Sequence, residues 1–138
     1  MREVFIDTNI LIDLGTEREP FYTYARELFL IAERKTIVLN ICALSYNTVH
    51  YNVKKRYGLE RAKMAIDLMW HFTNCLSVSH TIIQKAMNSQ FRDFEDAIQY
   101  YCALQIPKCE AIITRNAKDF KLSTIPIMNP YKFLGKEL

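Results

Sequence analysis

The chain opens on an apolar run, Val4-Phe5-Ile6, that stops at three small polar residues, Asp7-Thr8-Asn9, and resumes as Ile10-Leu11-Ile12. Short apolar runs of this kind recur, separated by longer stretches whose apolar residues fall three and four apart. The short runs read as strands and the long stretches as amphipathic helices. Strands are expected at 4–6, 36–39, 76–78, 111–113 and 125–127, the last an edge strand because Pro126 has no amide proton to give a neighbour. Helices are expected at 20–34, with Pro20 in the first turn, at 43–56 and 59–72 with a break at Gly58, at 81–89, and at 94–105. No linker, repeat or low-complexity tract interrupts this pattern, so residues 1–138 read as one domain. Short strands alternating with helices call for right-handed β–α–β crossovers. The expected fold is α/β: three layers, α/β/α, around a central and mostly parallel five-stranded sheet. In such sheets, sites form beyond the carboxyl ends of the strands.

That rule selects a group of acids. Asp7 follows the first strand directly. Thr114-Arg115-Asn116 follows the fourth, and Asp119 comes just after. Asp93, Glu95 and Asp96 open the helix that leads into the fourth strand. If strands one and four are neighbours, these carboxylates converge on one sheet edge. Singly, each has a plainer reading. Asp7 can be an Asx turn or a helix cap, with Thr8 and Asn9 bonding local backbone. Asp93, Glu95 and Asp96 can complement a helix dipole, and Asp119 can be a surface acid. Asp96 borders the apolar stripe of Ala97, Tyr100, Tyr101 and Leu104, so of its helix's acids it is the one expected to face inward. Gathered carboxylates suit a hard divalent cation, Mg²⁺ or Mn²⁺, which takes oxygen ligands and keeps several waters. Such an ion generates a hydroxide-like nucleophile and offsets charge on a phosphoryl group.

Three segments, FIDTNILIDL, DFEDAIQYYCAL and AIITRNAKDF, followed by a closing IPIMNPYKFL, stand in a particular order and spacing. Together they resemble the PIN-domain family, the fold of VapC-like toxin ribonucleases, over nearly the whole chain. The resemblance implies a Mg²⁺- or Mn²⁺-dependent endoribonuclease that cleaves RNA phosphodiesters, leaving a 5′-phosphate and a 3′-hydroxyl. One form of that activity is the toxin of a toxin–antitoxin pair. The resemblance puts Asp7 and Asp96 on the metal, Asp119 on it directly or through water, and Asn116 and Asn9 beside it, with Thr8 shaping the turn. Family members usually carry a glutamate in the helix after the second strand, and Asn47 stands at that place here. Glu95 or Asp93 would then supply an acid from a different helix. The alternative reading is a degenerate PIN domain, a non-catalytic module that binds RNA or protein. A third class, a phosphatase with Asp7 as nucleophile, calls for a second aspartate where Asn9 stands.

Composition adds little to the chemistry and excludes some partners. Eighteen basic and 15 acidic residues give a net charge of +3, far from the excess of a protein that coats nucleic acid. The basic residues nearest the acids, Arg92, Arg115, Lys118 and Lys121, are the candidate phosphate contacts. Lys54-Lys55-Arg56 with Arg61 and Lys63 is the densest basic patch, in keeping with a helix C-terminus. The four cysteines have no zinc spacing and read as buried thiols in a reducing cytosol. The first residues show no basic segment ahead of a long apolar stretch, and no apolar run is long enough to span a bilayer, so a cytoplasmic protein without a membrane partner is expected. Segments 20–34 and 43–72 hold more aromatic and apolar side chains than one small sheet buries. By the family resemblance, a homodimer and a small antitoxin are the partners expected there.

Overall fold

A computed structural model describes residues 1–137. Strands β1 (Arg2–Ile6), β2 (Ile37–Cys42), β3 (Asn74–Leu76), β4 (Cys109–Ile113) and β5 (Ile127–Met128) form one sheet in the order β3-β2-β1-β4-β5. Every pairing is parallel, so each link must cross from one end of the sheet to the other. Helices α1 (Thr8–Thr16) and α2 (Phe21–Glu33) lie between β1 and β2, and α3 (Ala43–Tyr57) and α4 (Leu59–Phe72) between β2 and β3. Helices α5 (His80–Met87) and α6 (Phe94–Ala103) lead to β4, a short 3-10 turn (Ala117–Phe120) follows it, and α7 (Pro130–Glu137) comes last.

Side chains alternate across the pleat. On one face Val4, Ile6, Leu39, Ile41, Ala111 and Ile113 pack with α1 to α4 and α7. On the other, Phe5, Cys42 and Ile112 pack with α5, α6 and Phe120. The central strand is buried on both sides, as a parallel strand covered by helices must be; each such Ile or Phe contributes roughly 1.5–3 kcal/mol of burial. β1 and β4 are neighbours, and Asp7 N donates to Ile113 O at 3.0 Å. This places the ends of the two acid-bearing segments side by side. The four cysteines are free thiols. Among the described residues no helix is long and apolar enough to cross a membrane.

The expected strands and helices form, with β5 reduced to Ile127–Met128, Ile125 and Pro126 lying just ahead of it, and with three larger differences. Residues 8–16 are a helix, α1, which the sequence pattern did not announce. The segment is only nine residues long, and the buried Asp13 and Thr16 among Ile10 and Leu11 break its apolar face. Gly15 explains why it lies so close to α3: a Cβ there would stand 2.7 Å from Val53 Cγ2. Second, the segment after β5, where no helix was expected, is the helix α7. Lys132 N donates to Asn129 Oδ1 at 2.7 Å, a side-chain cap ahead of Pro130 in the first turn. Third, β3 runs Asn74–Leu76, two residues earlier than expected, and Ser77 and Val78 lie beyond its end. Asn74 Nδ2 donates to the buried Asn40 Oδ1 at 2.8 Å, and Asn40 Nδ2 donates to Val4 O at 3.1 Å. Amides, not apolar side chains, start that ladder.

Candidate active site

Asp7 occupies the cap position of α1 in extended conformation, but its carboxylate serves another purpose. Gln99 Nε2 donates to Asp7 Oδ1 at 2.8 Å, and Thr114 Oγ1 donates to Asp7 Oδ2 at 2.6 Å. These donors come from α6 and from the end of β4. Thr114 Oγ1 in turn accepts from Asn116 N at 3.0 Å and from Asn9 Nδ2 at 3.4 Å. Thr8 N and Thr8 Oγ1 both donate to Gln99 Oε1 at 2.9 Å, and Thr8 Oγ1 lies 2.7 Å from Ser45 Oγ on α3. The opening triplet is thus a polar knot buried where β1, β4, α1, α3 and α6 meet. Burial pushes the Asp7 carboxyl above its ordinary value, against the pull of the Thr114 and Gln99 bonds and the first amides of α1.

The other acids face the same place. Asp93 caps α6, its Oδ1 accepting from Asp96 N at 2.9 Å. Asp96 is pushed up to about 7, first by burial and then by Asp7, Asp93, Asp119 and Glu95. Burial, and then Asp93 and Asp7, raise Glu95 as well, while a bond from Thr48 opposes the shift. Asp7 and Asp93 act on both Asp96 and Glu95, and Asp119 acts on Asp96, so these acids share one negative neighbourhood. Asn9 adds a buried Oδ1 with no hydrogen-bond partner. A divalent cation would supply what this group lacks, a positive charge that prefers oxygen donors. Among the described residues no three His, Cys, Asp or Glu side chains yet stand close enough to enclose an ion. The donor set fits a cation in charge and type; the acids would have to draw together around it.

A cleft of about 210 Å³ opens on this site, lined by Asp93, Asp96 and Asp119 and by Arg92, Lys118 and Lys121. Three of the four basic residues expected to meet phosphate are therefore beside the acids. Arg115 is not free to join them. Its guanidinium forks onto the buried Asp13, with Nη2 3.2 Å from Oδ1, and stacks 4.2 Å from the centre of the Phe21 ring. Asn116 contributes its backbone to the knot while its side chain is exposed.

Asn47 also departs from expectation. On α3, Ser45 and Thr48 lie one turn apart and face Thr8 and Glu95, while Val49 and Val53 turn into the core. At 100° per residue, Asn47 projects from the opposite side, and it is exposed. Gln99, Thr114 and Ser45 carry structural weight that the motif reading did not assign. Gln99 had a visible signal: a polar residue three positions after Asp96, inside an apolar stripe.

With this geometry in place, comparison with known proteins identifies the class. The PIN-domain model matches residues 3–118, and the chain belongs to that family. Its fold is similar to that of VapBC2 from Rickettsia felis, solved bound to a DNA fragment from their promoter: TM-score 0.67, 17% identity, 92% of this chain and 98% of that one. VapC20 of Mycobacterium tuberculosis, a toxin that cleaves the sarcin–ricin loop, matches with TM-score 0.62 at 16% identity over 79% and 86%. A toxin–antitoxin complex from Klebsiella pneumoniae matches with TM-score 0.65 at 29% identity over 93% and 98%. No curated protein matches the chain.

Proposed function

We propose that the protein is a metal-dependent endoribonuclease and the toxin of a toxin–antitoxin pair. The observation that carries this reading is the gathering of Asp93, Asp96 and Asp119 in one cleft with Arg92, Lys118 and Lys121, while Gln99 and Thr114 hold the Asp7 carboxylate at the end of β1. Asp7, Asp96 and Asp119 would hold Mg²⁺ or Mn²⁺, which supplies an activated water and neutralises charge on the phosphodiester. The chain's own residues do the rest. Thr114 and Gln99 fix the Asp7 carboxylate. Asp93 fixes the first turn of α6, and with it Asp96. Arg92, Lys118 and Lys121 hold backbone phosphates, which positions RNA without reading its sequence. An acidic site without a cation repels RNA, so acids and basic rim act together only when the metal is bound.

The solved relatives from Rickettsia felis and Klebsiella pneumoniae are toxin–antitoxin assemblies. An apolar groove between α1, α2 and α4, lined by Leu11, Leu14, Met64 and Leu68, suits an antitoxin here. Met64 is 65% exposed and Leu68 37%, more apolar surface than a lone helix pair needs to show water. The same surface offers a homodimer contact. The test is cleavage of a mixed RNA substrate by the purified full chain with Mn²⁺, with Mg²⁺ and with chelator. Cleavage that requires metal and is lost in Asp7→Asn and Asp96→Asn is expected. Absence of cleavage with either ion, with RNA still bound, would favour the non-catalytic module.

A further inference from the structure

The structure assigns Gln99 as the positioning residue of the site: its amide, locked by Thr8, holds the Asp7 carboxylate in one orientation. The inference rests on the metal-site reading of Asp7 and deepens it.

Gln99 is 1% exposed, in a helix whose neighbouring buried positions are apolar. A buried amide must satisfy both ends, and here the two ends are sorted by their partners. Thr8 N is a donor only, and it meets Gln99 Oε1 at 2.9 Å. Thr8 Oγ1 adds a second bond to the same oxygen, also at 2.9 Å. The amide oxygen is therefore fixed toward α1, so its nitrogen must face Asp7 Oδ1, 2.8 Å away. Only the amide nitrogen can donate there. Thr114 Oγ1 fixes the other carboxylate oxygen at 2.6 Å.

The consequence is directional. Each carboxylate oxygen has two lone pairs, and each uses one on a side-chain donor. The remaining lone pairs are held in fixed directions for a cation. Without the amide, the nearly buried carboxylate loses the donor on one of its oxygens. Asp7 then turns, and the ligand is no longer ready. Packing alone does not require a glutamine here; methionine fills a similar volume without a donor.

Two variants test this in the full chain: Gln99→Met, which keeps the volume, and Gln99→Glu, which keeps an acceptor for Thr8 but sets an oxygen against Asp7. The readouts are Mn²⁺ affinity by electron paramagnetic resonance, melting temperature, and the Asp7 side-chain orientation in metal-free crystals. Mn²⁺ affinity is expected to fall at least tenfold in both variants, with Asp7 rotated in the crystals. Should Gln99→Met not fold, Gln99→Glu carries the same comparison. Affinity within twofold of the parent with Asp7 unmoved would overturn the assignment, even if both variants melt earlier, since packing alone moves only the melting temperature. If the parent itself binds no Mn²⁺, the metal-site reading fails; the metal-free crystals then decide the positioning role alone, a rotated Asp7 supporting it and an unmoved Asp7 refuting it.

Discussion

Replacing Arg115 by methionine separates two roles that the sequence leaves open: contact with RNA phosphate and support of the fold. The Asp13 side chain is 1% exposed and that of Arg115 is 20% exposed. Burial already holds the Asp13 carboxyl above its ordinary 3.8, opposed by its bond to Arg115 and then by the charges of Arg115 and Arg18. Removing the guanidinium leaves a buried carboxylate with its main partner gone, a change that costs about 3–5 kcal/mol when the charge cannot escape. Asp13 can escape by taking a proton, so the loss falls near the lower end, about 3 kcal/mol at pH 8. The sign with pH follows. Losing Arg115 raises the folded carboxyl further above its unfolded value, so the destabilisation is largest at high pH and shrinks as acid protonates Asp13. The reverse change, Asp13→Asn, leaves a guanidinium with solvent access and the Phe21 ring beneath it, and costs about 1–2 kcal/mol. Urea melts of both variants at pH 5 and pH 8 measure the asymmetry. RNA binding at several salt concentrations measures the other role: Arg115→Met is expected to leave the salt dependence unchanged, whereas Lys118→Met reduces its slope by about one ion. Equal destabilisation by the two variants at pH 8, or a salt slope that falls with Arg115, would refute the argument.

Other outcomes follow from the same geometry. Asp96, raised from 3.8 to about 7 by burial and by its acidic neighbours, keeps a proton in the folded chain that the unfolded chain releases, so its contribution to stability falls as pH rises through that range. Asp96→Asn is therefore expected to melt above the parent at pH 8 and level with it below pH 4, the gain held to about 1–2 kcal/mol by screening at a half-exposed site. Gly15→Ala sets a methyl against Val53 Cγ2, 2.7 Å away, and is expected to lower stability in urea melts by about 1–2 kcal/mol despite alanine's better helix propensity. Thr48→Glu, on the side of α3 that meets Glu95, is expected to tighten Mn²⁺ binding and destabilise the metal-free chain. Asn47→Glu, on the exposed side, is expected to change neither, as titration calorimetry and melts would show.

The sheet and its two layers were legible because burial on both faces leaves short apolar runs bounded by polar residues, and amphipathic helices repeat at their own period. Asp7, Asp93, Asp96 and Asp119 were legible by position, at strand ends and at the start of the crossover helix. What the chain does not display is side-chain direction. Arg115 sits in the same turn as Lys118, yet a buried acid on α1 claims it, and α1 itself was hidden by the polar residues that make it useful. Asp13 and Thr16 look like solvent positions until Arg115 and α3 cover them. Asn40 and Asn74 likewise hide a strand start, since paired amides satisfy a ladder without any apolar pattern.

The distribution of charge bears on which reading of the site is the stronger. Four of the five acids stand on α6 and the turn after β4, and the α3 side offers the hydroxyls of Ser45 and Thr48 instead of a carboxylate. A site that only bound RNA gains nothing from acids raised by burial and then by one another, because a phosphodiester adds a further negative charge beside them. The same acids become useful when a cation lies between them and the phosphate. The absence of an acid at Asn47 then matters less than its motif position implies, since that side chain points to solvent while Glu95 approaches Asp7 from α6. Asp7 is held on both oxygens by Gln99 and Thr114, so under the metal-dependent reading Asp96 and Glu95 are the acids that would move toward a cation.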